Sequence, residues 1–184
     1  MPYITDPDRF IALYSIAKKF PGIDKAEDPV FAKTSIFFDP DNLLSKGFFA
    51  FLKEALTISA DRSFVYIMVD PDPLEGIIRH GERTGTFLQL YDTYPAVGFT
   101  TEDTESDYYP TLGGISAPPI VFVASVYAVF PPSLRWWIYG DVELEVAYLH
   151  SPYSTVFDRI QAAYGSNVMP VEEVLEAVKR LHEG

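Results

Sequence analysis

The chain has 184 residues, 48% of them hydrophobic and 15% aromatic, and carries 14 Lys and Arg against 26 Asp and Glu for a formal charge of −12. That length and hydrophobic content suit one folded domain and exclude long disorder. The absence of cysteine excludes disulfides, thiolate nucleophiles and thiolate metal sites.

The charge is uneven. Residues 1–83 hold ten basic and 13 acidic side chains, residues 84–134 none and five, and residues 135–184 four and eight. Binding a nucleic-acid backbone or an anionic membrane needs clustered Lys and Arg, so neither is expected; a basic protein partner is. The start, Met1-Pro2-Tyr3-Ile4-Thr5-Asp6, lacks the basic and apolar regions of a secretory signal. The longest apolar run, Ile120 to Phe130, is far short of the ~20 residues of a membrane span. The expectation is a cytoplasmic protein.

In chain order, Asp6-Pro7-Asp8 opens a helix with Phe10, Leu13, Tyr14, Ala17 and Phe20 at helical spacing, closed by Pro21-Gly22. Ile36-Phe37-Phe38 reads as a short strand. Asp39-Pro40-Asp41 opens a second helix carrying Leu44, Phe48, Phe51, Leu52, Ala55 and Leu56. Phe64–Val69 has no polar alternation and predicts a strand buried on both faces, with Asp70 at its end. Thr86–Tyr91 is a weaker strand candidate. Residues 98–118, rich in Thr, Asp, Glu, Gly and Pro, predict an exposed acidic loop that includes Glu102, Asp103 and Glu105. Ile120–Phe130 predicts a central strand, followed by a hairpin and hence a three-stranded antiparallel meander. Val156, Phe157, Ile160 and Ala163 fit a short helix, and Pro170-Val171-Glu172-Glu173 starts another with Val174, Leu175, Val178 and Leu181 inward. The sum is an α+β domain, a mostly antiparallel sheet flanked by helices.

Two constellations carry chemistry. Asp70-Pro71-Asp72-Pro73-Leu74-Glu75, with His80 further on, is a strand-end carboxylate pair that offers hard oxygen ligands to Mg²⁺ or Mn²⁺. It superficially resembles the Asp-x-Asp of haloacid-dehalogenase-type phosphatases. Prolines at both Pro71 and Pro73, and the absence of the hydroxyl residue expected just after the motif, depart from that pattern. The alternative for these residues is an Asp-Pro turn with capping carboxylates. His150 ends a predicted strand, where it is either a base or a plain surface or capping residue.

The second constellation is Arg135-Trp136-Trp137-Ile138-Tyr139-Gly140-Asp141-Val142-Glu143-Leu144-Glu145-Val146. A two-residue turn at Gly140-Asp141 places Tyr139 opposite Val142 and Ile138 opposite Glu143. Trp137, Tyr139, Val142, Leu144 and Val146 then share a core face, while Trp136, Ile138, Glu143 and Glu145 share the other. A one-residue slip in register exchanges the two faces. Either the helix near Asp41 or Pro170 covers the second face, or Trp136 and Ile138 are exposed anchors ringed by Asp141, Glu143 and Glu145, with Glu102, Asp103 and Glu105 nearby. Residues 131–147 resemble the aromatic Gly-Asp hairpin of small acidic bacterial proteins, immunity proteins of polymorphic toxin systems among them. The resemblance implies a stoichiometric inhibitor that occludes a basic toxin with an acidic surface. The expectation is therefore a binding protein without cofactor. A divalent-metal hydrolase using Asp70, Asp72, Glu75 and His80 is one alternative; an accessory homo-oligomer with Trp136 at a homodimer seam is the other.

Overall fold

The computed structural model describes residue 4 and residues 6–75, 95–113, 124–164 and 168–183. Helix α1 (Pro7–Ala17) begins as its sequence demands: Asp6 accepts the Arg9 N–H at 2.6 Å and proline fills the first turn. A 3₁₀ turn (Ile23–Glu27), the single-turn α2 (Pro29–Ala32) and strand β1 (Ser35–Phe38) follow. The expected second helix is split. Pro40–Leu44 is 3₁₀, and α3 (Phe48–Ser59) starts after Gly47, whose φ of 89° breaks the run.

Strand β2 (Ser63–Asp70) covers the predicted buried strand, and β3 (Ala96–Thr100) pairs with it. The Thr86–Tyr91 candidate lies outside the described residues. The expected acidic loop at 98–118 is corrected: Gly98–Thr100 belong to β3, and Glu105–Gly113 form α4. Asp107 Oδ2 reaches back to accept the Thr104 N–H at 2.9 Å and its hydroxyl at 2.6 Å, the carboxylate half of a capping box. Tyr108 and Leu112 of α4 are buried, so the acids around them are the solvent side of an anchored helix.

Strands β4 (Val126–Phe130), β5 (Trp137–Asp141) and β6 (Val146–His150) form the meander, and α5 (Ser154–Ala163) and α6 (Val171–Glu183) close the chain. The six strands make one antiparallel sheet in the order β1-β6-β5-β4-β2-β3. The fold is α+β, with helices on both faces. One face carries Phe64, Tyr66, Val129, Trp136, Ile138 and Leu149 under α3, α4 and α5. The other carries Val65, Ile67 and Ala128 under α1, and Phe37, Val146 and Tyr148 under α2 and α6.

The hairpin differs from its expected form. Asp141 pairs with Val146 and Tyr139 with Tyr148, so the turn is the four residues Val142–Glu145. Asp141 Oδ1 accepts the Leu144 N–H at 3.0 Å, and Glu145 takes φ 57°. Gly140 stays in the strand because of space: a Cβ there would collide with Cζ and Oη of Tyr127, whose ring crosses it from β4. Trp137, Tyr139 and Val146 keep their predicted face opposite Trp136 and Ile138, but Val142, Glu143, Leu144 and Glu145 all leave the strand for the turn, and Val142, expected on the core face, is exposed.

Trp136 and Ile138 are each 0% exposed, which corrects their assignment as exposed partner anchors and removes Trp136 from any dimer seam. Of the two ways to cover that face, the helix after Asp41 is the one used: the Trp136 indole N–H donates to Ser59 Oγ at the end of α3 at 3.2 Å. Trp136→Ala is expected to lower the free energy of unfolding by about 3–5 kcal/mol, as for other buried Trp truncations, checked by urea denaturation. Gly140→Ala is expected to cost about 1–3 kcal/mol through overpacking. Adding Tyr127→Leu should recover part of that loss, because it removes the ring that the new methyl meets.

Candidate functional site

The sheet topology sorts the acidic residues into two groups. Strand β2 ends at Asp70, which pairs with Val126 of β4, which pairs in turn with Asp141 of β5. Asp70, Asp141 and the turn carrying Glu143 and Glu145 therefore share one end of the sheet. Thr100, which leads into Glu102, Asp103 and Glu105, pairs with Ser63 at the other end of β2. At about 3.3 Å per residue, the eight-residue strand separates the two groups by roughly 23 Å. The expected proximity of Glu102, Asp103 and Glu105 to the hairpin acids is corrected accordingly. Asp103 is also engaged, since its Oδ2 accepts the Thr100 N–H at 2.6 Å and hydroxyl at 2.9 Å.

The end that holds the hairpin turn is the more electrostatically loaded. Burial raises the Asp141 carboxyl above its ordinary range; repulsion from Glu143 and Asp70 adds to this, and the Leu144 N–H opposes it. Tyr139 beside it is pushed up to about 12, by burial first and then by Asp141, Asp24 and Asp70. Glu143 and Glu145 are exposed. Together with Asp141, Leu144, Ala177 and Arg180 they line a groove of about 280 Å³ between the turn and α6. None of the ion pairs among the described residues involves Asp70, Asp141, Glu143 or Glu145.

Asp70 and Asp72 border a second pocket of about 240 Å³, together with Lys18, Val126 and Tyr139. Asp72 is committed to structure. Its Oδ1 accepts the N–H groups of Leu74 at 2.9 Å and Glu75 at 3.3 Å, capping a helical turn that starts at Pro73, and its Oδ2 lies 3.5 Å from Lys18 Nζ. Burial pushes its carboxyl up, but the Tyr14 hydroxyl, these N–H groups and Lys18 outweigh it, and the net direction is down. Among the described residues no three His, Asp or Glu side chains stand together as a metal site; Asp70, Asp72 and Glu75 do not form one, and His80 lies outside the described residues. The capping alternative is the one the geometry matches at Asp72.

His150 is buried and meets Ser35, with Nδ1 and Oγ 3.0 Å apart. Ser35 Oγ donates to the Phe31 carbonyl at 2.8 Å, and among the described residues the hydrogen bonds of the pair include no carboxylate to orient the imidazole as a base. No helix among the described residues is long and apolar enough to cross a membrane. Comparison of the chain with protein-family models, with curated proteins and with solved structures finds no match.

What sequence reasoning missed is the division of the acids between two ends and the joining of Asp70 to the hairpin group. The pairing runs through β4, which is distant in sequence from Asp70. Asp72→Ala is expected to lower stability by about 1–2 kcal/mol through the lost cap, equally with and without millimolar Mg²⁺ in a thermal melt. A Mg²⁺-dependent stabilisation that vanishes in the variant would instead revive the metal reading.

Proposed function

We propose that this chain is a non-catalytic, cytoplasmic binding protein that takes a basic protein on the carboxylate-rich end of its sheet. In its most specific form it is an immunity-type stoichiometric inhibitor of a basic toxin. The observation that carries the reading is the convergence of Asp70, Asp141, Glu143 and Glu145 at one sheet end. Asp141 there is already burdened by like charge. Burial raises Asp141 first and Glu143 and Asp70 add to it, and a cationic surface seated on this end relieves the like-charge part.

The mode of binding differs from an aromatic anchor with an acidic rim. The tryptophans belong to the core, so the contact surface is the turn Val142–Glu145, in which Val142 is 39% exposed, and the groove against α6. Steering by exposed carboxylates makes association fast and salt-dependent. The net charge of −12 supports the same preference for a cationic partner.

The test is a pull-down with the tagged full chain, washed at low and then high salt, followed by titration of the recovered partner. One basic protein in near-equal amount, weakened by salt, is the expected result. Glu143→Lys with Glu145→Lys should weaken binding by about tenfold or more without lowering the melting temperature. The same reversal at Glu102 and Glu105, at the opposite end of the sheet, should leave affinity within about twofold. Unchanged affinity in the 143/145 variant would refute the assignment of this end.

A further inference from the structure

Where α1 ends against β2, a pocket of about 240 Å³ is walled by Lys18, Phe20, Asp70, Asp72, Val126 and Tyr139. That volume is below the roughly 300–1,000 Å³ of sites for free small molecules, so the pocket suits one side chain of a larger partner. Its aromatic walls are fixed: Phe20 stacks on Trp137 at 5.0 Å and meets Phe130 edge-on at 5.2 Å, and Tyr139 stacks on Tyr148 at 5.8 Å. Asp70 reaches the pocket through a bulge. Met68 pairs with Tyr127 but Asp70 with Val126, so Val69 and Asp70 together stand opposite one residue of β4. Strict alternation would leave Asp70 on the α3 face with Tyr66 and Met68; instead it borders the pocket beside Val69, which packs on the α1 face. The Ser125 N–H donates to the Asp70 carbonyl at 2.9 Å, and the Val142 N–H to the Ser125 carbonyl at 2.8 Å. This backbone relay holds the pocket in a fixed position relative to the hairpin turn.

We propose that this pocket receives one arginine side chain of the basic partner, with its stem against Phe20, Val126 and Tyr139 and its guanidinium on the Asp70 carboxylate. The inference rests on the reading of this sheet end as the partner's seat, and adds to it the residue type that the partner presents. Charge selects a cation. Lys18 already faces Asp72 at 3.5 Å, and Asp72 is further held by the N–H groups of Leu74 and Glu75. Asp70 is in none of the ion pairs among the described residues. One negative charge is therefore left over on the pocket wall.

The walls select arginine over lysine. A guanidinium is planar, stacks on aromatic rings such as those of Phe20 and Tyr139, and lays two parallel N–H bonds on a carboxylate. It is also more weakly hydrated than an ammonium, so it loses less on leaving water for a pocket with apolar walls. A lysine ammonium offers Asp70 only a point charge.

The test is a titration of the ¹⁵N-labelled full chain with Nα-acetyl-arginine methylamide, followed by amide shifts, with the lysine and citrulline analogues as controls. Citrulline keeps the shape of arginine without its charge. The arginine probe should give saturable shifts at the amides of Lys18, Phe20, Val69 and Val126. Affinity should fall about tenfold or more for the citrulline probe on the same chain and for the arginine probe on Asp70→Asn, and the lysine probe should bind more weakly than the arginine one. Lysine or citrulline binding as well as arginine, or unchanged affinity in Asp70→Asn, would overturn the arginine pocket. A basic partner recovered on the 143/145 end while the arginine probe leaves these amides unmoved would overturn the pocket alone. A saturating arginine probe with no basic protein recovered would overturn the partner reading instead and leave the arginine site standing.

Discussion

The step from Trp136 to Trp137 on β5 is the constraint on which the other elements hang. Adjacent strand residues point to opposite faces, so two consecutive tryptophans drive the sheet's middle into both helical layers at once. Trp136 is closed over by α3 and bonded to Ser59. Trp137 lies parallel to Phe20, which follows α1, at 5.0 Å and 1°, and against His150. The paired rings lock β5 in one lateral position, and β4 and β6 are then registered to it. A sheet buried on both faces has no solvent side on which to carry charges, so the carboxylates of its strands and hairpin sit at strand ends and in the turn, and the others lie on the helices and loops around it.

That displacement of charge makes one end of the sheet chemically distinct. Asp70 and Asp141 end strands that run in parallel directions with β4 between them, so the two carboxylates come from segments far apart in sequence. The four-residue turn adds Glu143 and Glu145. Asp72, two residues beyond Asp70, is drawn into the helical turn after it and into the pair with Lys18, and so contributes structure more than free charge. The result is a group of carboxylates at two strand ends and in the short turn that joins β5 to β6.

The buried aromatic face carries two costs that bear on its design. Tyr66 and Tyr127 stack at 5.1 Å, and among the described residues both buried hydroxyls have no hydrogen-bond partner, where phenylalanine would avoid the desolvation. Gly140 gives up strand propensity so that the Tyr127 ring can cross β5. This explains why a Gly-Asp pair at the end of a strand is not a turn here: the glycine serves close approach between strands, and φ at Gly140 is not positive.

Much of the fold was legible in the sequence because its signals are local. The Asp6 cap, the proline starts of α1 and α6, the two-faced β2 and the meander each depend on neighbours within one element. The Thr104-x-x-Asp107 box was equally local and would have placed α4 in what reads as a loop. By itself the sequence determined the α+β class, the acidic balance, most element positions and the alternation of faces along β5. Only the tertiary structure decided that Trp136 and Ile138 lie in the core, that Glu102 and Glu105 stand at the end opposite Glu143 and Glu145, and that Asp70 joins Asp141. Periodicity states which residues share a face, but strand pairing and helix cover set which end they occupy and whether that face meets water.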